Sequence, residues 1–474
     1  MTRRNFIKIS SVTAMLLSVG VFPTNAYAVW PTIPKIVVNI TLDGGPDFKH
    51  LIVPPFSEDA SSYGATFWRA RASIFNLTSS DSAGLKNAYI ENYDEITVDG
   101  IVCGVLKECG WLKSEILAKN VAIVSGVVAS QNRDHHHSKL ILESGSLLTG
   151  AHDVGVSGWG GRAVQALGAN AISITQGVRL ICNGAHALDD KNHDNSSVVT
   201  NTDSRNMGLY NYDTQADLDN EINSYKWSSR AILSRSLKSY YAAKDEQIPE
   251  SSPYKKFTKH EQTLRNFGDQ IKKRLDTVTI PTSIEALHSG DNKLNATYFG
   301  RQIASLYDSI AAQDILNMRF ASLEYSGWDT HKFQKDILKE KLGDIFGSSK
   351  GLNTLVDELD KIDTRLYENI AIVISGEFGR QLKSNGDNGT DHGRGNSAFI
   401  IGRSVQGGFY GNPFPTDEIA RLEVKNEDIE GKTSMFQLYA AVLEWQSQDL
   451  GSQVFDLTNE PIEDGLSFSD LFSV

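Results

Sequence analysis

Short apolar runs alternate with longer amphipathic stretches from Lys35 onward. "KIVVNITLDGG" opens with Lys35–Leu42 almost continuously apolar and breaks at Asp43-Gly44-Gly45. Such a run reads as a strand buried on both faces, as in a parallel sheet. "NVAIVSGVV" (120–128), "LNMRFASLEYSG" (316–327), "NIAIVISG" (369–376) and "SAFIIG" (397–402) repeat the pattern, with "NAISIT" and "VRLICNG" as weaker strand candidates. Between them, "HSKLILESG" begins a short helix. "LDNEINSYKWSSRAILSRSLKSYYAA", "NATYFGRQIASLYDSIAAQ" and "LNTLVDELDKIDTRL" place apolar residues at helical spacing, while "GLKNAYIENYDE" settles on no single period. Strands alternating with helices predict an α/β domain with a mostly parallel sheet. The stretch from about 189 to 291 is polar, charged and helical without a convincing strand, and reads as an insertion into that domain.

The first 28 residues follow a different pattern. A charged "MTRRNFIK" precedes the apolar "ISSVTAMLLSVGVF" and an A-x-A pattern at Ala26-Tyr27-Ala28. This is the layout of a cleaved export signal, and its apolar part is too short for a stable membrane span. Arg3-Arg4, with Phe6 and Lys8, resembles a twin-arginine signal, which implies passage through the twin-arginine translocon and a periplasmic or secreted location. Residues 29–474 then form the mature α/β domain. Proteins on that route are exported folded, often with a metal already bound.

The 474-residue chain has a net charge of −12, and no basic cluster follows the first eight residues, so nucleic acid is not an expected partner. Three cysteines, Cys103, Cys109 and Cys182, are too few for a disulfide scaffold. Cys103 and Cys109 are open either to pairing or to remaining buried thiols.

Candidate chemistry collects at the C-terminal ends of the expected strands, the edge where open α/β sheets bind ligands. Asp43 follows the first strand. Arg133-Asp134-His135-His136-His137 follows the second, and Asp329 and His331 in "SGWDTHKFQ" follow the third. Glu377 and Arg380 in "SGEFGR" follow the fourth, with Asp391 and His392 in the glycine-rich "SNGDNGTDHGRGN". Asp and His together suit a divalent ion such as Zn, Mn, Ca or Fe, which polarises an ester oxygen or activates water. Arg133 or Arg380 has the fork geometry to hold an anion. Each has a plainer alternative: Asp43 as a turn residue, the histidines as a fortuitous polar run, Glu377 and Arg380 as a structural pair.

The blocks "LDGGPDFKHLIVPPF", "NRDHHHSKLILESG", "SGWGGR", "SGWDTHKFQ", "SGEFGRQLKSNGDNGTDHGRGNSAFIIG" and "VQGGFYGNPFP" resemble, in order and spacing, those of the bacterial family called domain of unknown function 1501. That family is similar to the alkaline phosphatase and sulfatase superfamily. The resemblance implies a three-layer α/β sandwich around a mostly parallel sheet, one or two divalent ions, and a small anionic ester as substrate. It implies Asp43 as the metal-binding Asp after the first strand, and Asp329, His331 and His392 on one ion. Glu377 and Asp391 follow as further ligands or acid–base groups. Asp134, His135, Arg133 and Arg380 follow as the catalytic set. Two positions depart from the pattern. Glu377-Phe378 stands where Asp-His is usual, and Arg133-Asp134-His135 stands where the family block reads Arg-Ser-His, which removes the serine hydroxyl and leaves Ser138 one helical turn later. Two functions follow: an exported metal-dependent hydrolase of phosphate or sulfate esters, or a non-catalytic exported binding or surface-assembly protein of the same fold.

Overall fold

The computed structural model describes residues 32–473, apart from 154, 176–177, 187–188, 195–197, 201–228 and several short stretches between 250 and 297. The export signal, with Arg3, Arg4 and the Ala26–Ala28 site, lies outside the described residues. The described residues form fourteen strands. They are β1 (Ile36–Asp43), β2 (Ile52–Val53), β3 (Tyr93–Val98), β4 (Ile101–Leu106), β5 (Val121–Val128), β6 (Asn170–Ser173) and β7 (Gly184–His186). β8 (Asp189–Asp194), β9 (Val198–Thr200), β10 (Met318–Ser326), β11 (Ile370–Gly376), β12 (Asn396–Ile401), β13 (Gly408–Tyr410) and β14 (Thr433–Ser434) complete them.

Nine strands form one sheet in the order β13-β5-β12-β11-β1-β10-β6-β9, with β14 also on β5. β12 alone runs against its neighbours β11 and β5, so the sheet is mostly parallel. β1 sits at its centre, in register with β10 (Asp43↔Ser326) and β11 (Leu42↔Gly376), which brings three strand ends to one edge.

Alternate residues of each strand face opposite layers. Ile36, Val38, Ile40 and Leu42 pack into a core with the helices at 298–311, 334–346 and 351–362. Val37, Ala371 and Val373 pack into a second core with the helices at 135–144, 159–167 and 435–446. Because both faces are covered, the strand sequences read as continuous apolar runs rather than as alternation.

Several local expectations change. "VRLICNG" contributes a 3-10 turn at Leu180–Cys182 before β7, not one strand. The region from 189 is not wholly helical: β8 pairs with β7, and β9 joins the edge of the central sheet beside β6. "GLKNAYIENYDE" divides into a helix, Ser82–Asn92, and the start of β3. β3 and β4 form a hairpin closed by Asp99-Gly100, both at positive φ (52° and 81°), which is the signature of a tight primed turn and was present in the sequence. Cys103, Cys109 and Cys182 are buried free thiols, and burial pushes Cys103 and Cys182 up to about 12. Among the described residues, no helix is long and apolar enough to cross a membrane.

Candidate metal centre

Four loops at the carboxyl edge, after β1, β5, β10 and β11, carry the candidate residues, and glycine lets them approach. Gly44 follows β1 at φ +120°, and a Cβ there would meet the backbone N of Asp329 at 2.5 Å. A Cβ on Gly389 would meet the carbonyl of His331 at 2.3 Å. Gly44 and Gly389 therefore let backbone lie on backbone beside the "WDTH" segment. Behind them is a buried polar frame. Gln334 Oε1 accepts from Thr330 (3.2 Å) and Thr390 (2.7 Å), and Gln334 Nε2 donates to Asp47 (2.7 Å), which pairs with Arg71.

Arg380 is the strut of the site. It is 1% exposed, and its guanidinium donates to the carbonyls of Gly45 (2.7 Å), Thr390 (3.0 Å), Trp328 (3.0 Å) and Gly44, and to Asp329 Oδ1 (2.7 Å). All three guanidinium nitrogens thus face protein acceptors, and one side chain ties the loops after β1, β10 and β11 together.

Asp329, His135 and His392 place one ligand atom each within 4.8 Å of one another, a group that could hold a metal ion. His392 Nε2 is 2.9 Å from Asp329 Oδ1, and His135 Nε2 is 3.7 Å from Asp329 Oδ2. His331 Nε2 lies 3.1 Å from Asp329 Oδ1 and 3.0 Å from His392 Nε2. Atoms bonded to one ion at about 2.0–2.2 Å sit roughly 3 Å or a little more apart, so the spacing fits. Hydrogen bonds have similar lengths, and the opposite ring nitrogens decide between the two. His392 Nδ1 faces the carbonyl of Arg133 (3.0 Å), His331 Nδ1 faces Asp391 Oδ1 (2.9 Å), and His135 Nδ1 faces Glu377 Oε1 (2.9 Å). Each of those partners is a carboxylate or a carbonyl oxygen, so each Nδ1 donates to it in the tautomer that leaves Nε2 as a metal ligand. Ring nitrogens converging on a carboxylate suit a cation. Imidazoles backed by carboxylate or carbonyl are the usual support of a metal site.

The electrostatics agree. Burial raises the affinity of Asp329 for protons, but hydrogen bonds from Arg380 and His392 outweigh it and hold its carboxyl at about 2. Its charge is available as a ligand throughout the neutral range. The bond to Glu377 raises the His135 pKa against desolvation. Glu377 is fully buried; its Oε1 also accepts from the Gly44 N–H (2.8 Å), while Oε2 has no partner.

Other nominated residues stand elsewhere. Asp43 ends β1 with its carboxylate 2.9 Å from Lys139 Nζ. Asp391 sits behind His331 and also accepts from Asn385 Nδ2 (3.1 Å). Asp134 caps the helix at 135–144, accepting from the His137 N–H (2.8 Å). The Arg133 guanidinium pairs with Asp428 (2.7 Å), which Arg394 also holds. His136 points to solvent, and His137 bonds the Thr149 carbonyl and Asn132, so one histidine of the run reaches the cluster. Ser138 is buried and bonded to Ser130 and Asn132 (3.0 Å each). Lys139 was not singled out in the sequence, although it lies one helical turn beyond His135, on the same face.

The family described as "Protein of unknown function (DUF1501)" matches residues 113–463. No curated protein sequence matches the chain. One solved structure, titled "Crystal structure of Ps i-CgsB in complex with k-i-k-neocarrahexaose", aligns over 90% of this chain and 73% of that one at 11% identity and a TM-score of 0.32.

Proposed function

The chain belongs to the DUF1501 family of proteins of unknown function, and from the site geometry we propose that it is an exported metal-dependent hydrolase of phosphate or sulfate esters, built on an alkaline phosphatase-like sandwich. The observation that carries this is the convergence of imidazole Nε2 atoms on Asp329, each imidazole held from behind by an acceptor. His135, Asp329 and His392 hold the ion, and His331 completes the set. When bound, a divalent ion there supplies Lewis-acid polarisation of an ester oxygen and acidity to water. Glu377, Asp391 and the Arg133 carbonyl fix the rings, and Arg380 fixes Asp329. Water is the attacking group in this reading. The Asp134 carboxylate serves the helix cap, and the Ser138 hydroxyl is buried in its own network.

The same two facts favour a second reading, a non-catalytic binding or surface-assembly protein that keeps the ion for structure. Both readings place the protein outside the cytoplasm, delivered by the twin-arginine route. Elemental analysis of the purified mature protein, with a screen of aryl phosphates and aryl sulfates, separates them. Metal with turnover supports the hydrolase. Metal without turnover on any ester leaves the second reading. An Asp329→Ala variant that retains the parent's metal overturns both.

A further inference from the structure

The acidic residue at the end of β1 meets an ammonium. Lys139 Nζ lies 2.9 Å from Asp43 Oδ1 and 3.8 Å from Glu324 Oε1. Glu324 has a nearer partner in Arg179, which also holds Glu143, so Lys139 belongs to Asp43. This pair adjoins the histidine cluster by two routes. Along the helix at 135–144, Lys139 stands four residues from His135, on the same face. Along β1, Asp43 precedes Gly44, whose N–H donates to the Glu377 oxygen that also takes His135 Nδ1.

Arg380 and Arg133, the two arginines nominated at this edge, are engaged. Arg380 is buried with its nitrogens on carbonyls and Asp329, and Arg133 turns to Asp428. Lys139 remains partly accessible, its side chain 29% exposed. An ammonium has three N–H donors; one is taken by Asp43, and Glu324 is beyond hydrogen-bond length. A fixed positive charge on Asp43 also fills the position where that carboxylate would ligate a second ion.

We propose that Lys139 is the second cation of this centre: it replaces a second metal ion at Asp43 and donates to an anionic oxygen of the substrate. This inference rests on the metal-hydrolase reading and deepens it, fixing the centre at one divalent ion facing one ammonium. A phosphate or sulfate group bridges the two charges, whereas a neutral ester lacks the second contact.

The test uses full-length mature protein loaded with Zn²⁺ or Mn²⁺, metal content by elemental analysis, and inorganic phosphate binding by calorimetry. Wild type should carry one equivalent of metal. Asp43→Asn should keep that equivalent. Lys139→Met should also keep it but bind phosphate about tenfold or more weakly, the loss of one charge-assisted hydrogen bond, and Lys139→Arg should recover most of the affinity. Thermal melts of each variant separate lost binding from lost fold, and Lys139→Arg preserves the charge if Lys139→Met does not fold. Two equivalents in wild type, or loss of metal in Asp43→Asn, makes Asp43 a ligand and overturns the inference while sparing the metal reading. Retained metal with no phosphate binding by wild type, or with unchanged phosphate affinity in Lys139→Met, overturns it as well. No metal in wild type overturns both.

Discussion

His331 Nε2 and His392 Nε2 face each other across 3.0 Å, each with its Nδ1 on an acceptor. Asp329 Oδ1 lies within 3.1 Å of both, so a cation seated among these three atoms would be held by two nitrogens and one carboxylate oxygen. Much of what the site is expected to do follows from this contact.

Removing the ion should loosen the protein. A chelator should lower the melting temperature of the purified protein, and added metal should restore it. An ion present at a hundred times its dissociation constant stabilises by about 2.7 kcal/mol. His392→Ala should abolish both the metal and the chelator effect. A melting curve indifferent to chelator and metal would count against the site.

Glu377→Gln should weaken the metal without touching a ligand atom. The amide oxygen can replace Oε1 for Gly44 and His135, but its NH₂ then occupies the place of Oε2, which is buried without a partner. An unmatched buried donor costs about 1–3 kcal/mol. Loss of the carboxylate behind His135 should lower metal affinity by roughly 10–100-fold. Calorimetric titration measures the second effect and denaturant unfolding the first; affinity equal to wild type would remove Glu377 from the support of the site.

Arg380→Lys should be severe despite the retained charge. A lysine cannot reach carbonyls of four different residues and Asp329 at once. Each buried carbonyl left without its donor costs about 1–3 kcal/mol. The unfolding midpoint in urea should fall accordingly. A midpoint within error of wild type would show that the loops hold without their strut.

Gly389→Ala tests whether the glycine loop is there for close approach. Its Cβ would lie 2.3 Å from the His331 carbonyl, so the loop or the "WDTH" segment must shift. Metal affinity should fall by more than global stability does, because the displaced group is next to the cluster. Gly386, where nothing lies within 4 Å of an added Cβ, is the control position and should accept alanine.

His50 gives an expected pH dependence away from the site. Burial lowers its pKa to about 4, against the attraction of Asp47, so it is neutral in the folded protein over the ordinary range. The unfolded chain protonates this histidine near 6.5, before the folded one does. Its contribution to stability is therefore complete above pH 6.5, declines as pH falls, and is exhausted near 4, at most about 3 kcal/mol. Unfolding free energies at pH 7, 5.5 and 4.5 should fall in that order, and His50→Gln should flatten the slope. An equal slope in the variant would assign the dependence to other groups.

The parallel sheet was legible because a strand buried on both faces is apolar along most of its length, as in Ile370–Ile374 and, apart from Asn39 and Thr41, in Val37–Leu42. The edge that carries the chemistry was legible for a related reason: polar residues gather where such runs stop, at Asp43, Asp329 and Glu377. The β3–β4 hairpin carries an equally local signal, an Asp99-Gly100 turn between two short runs.

The choice among the polar residues belonged to the tertiary structure. His135, His136 and His137 are adjacent and chemically identical, and only the helix that Asp134 caps turns His135 inward. Arg380 and Lys139 each carry one positive charge. Backbone carbonyls from loops distant in sequence engage the first, and the end of β1 leaves the second beside Asp43 with donors to spare. Periodicity records which face of an element is buried, since burial acts on each residue separately. Coordination and ion pairing depend on distances between residues up to hundreds of positions apart, and those distances exist only once the chain has folded.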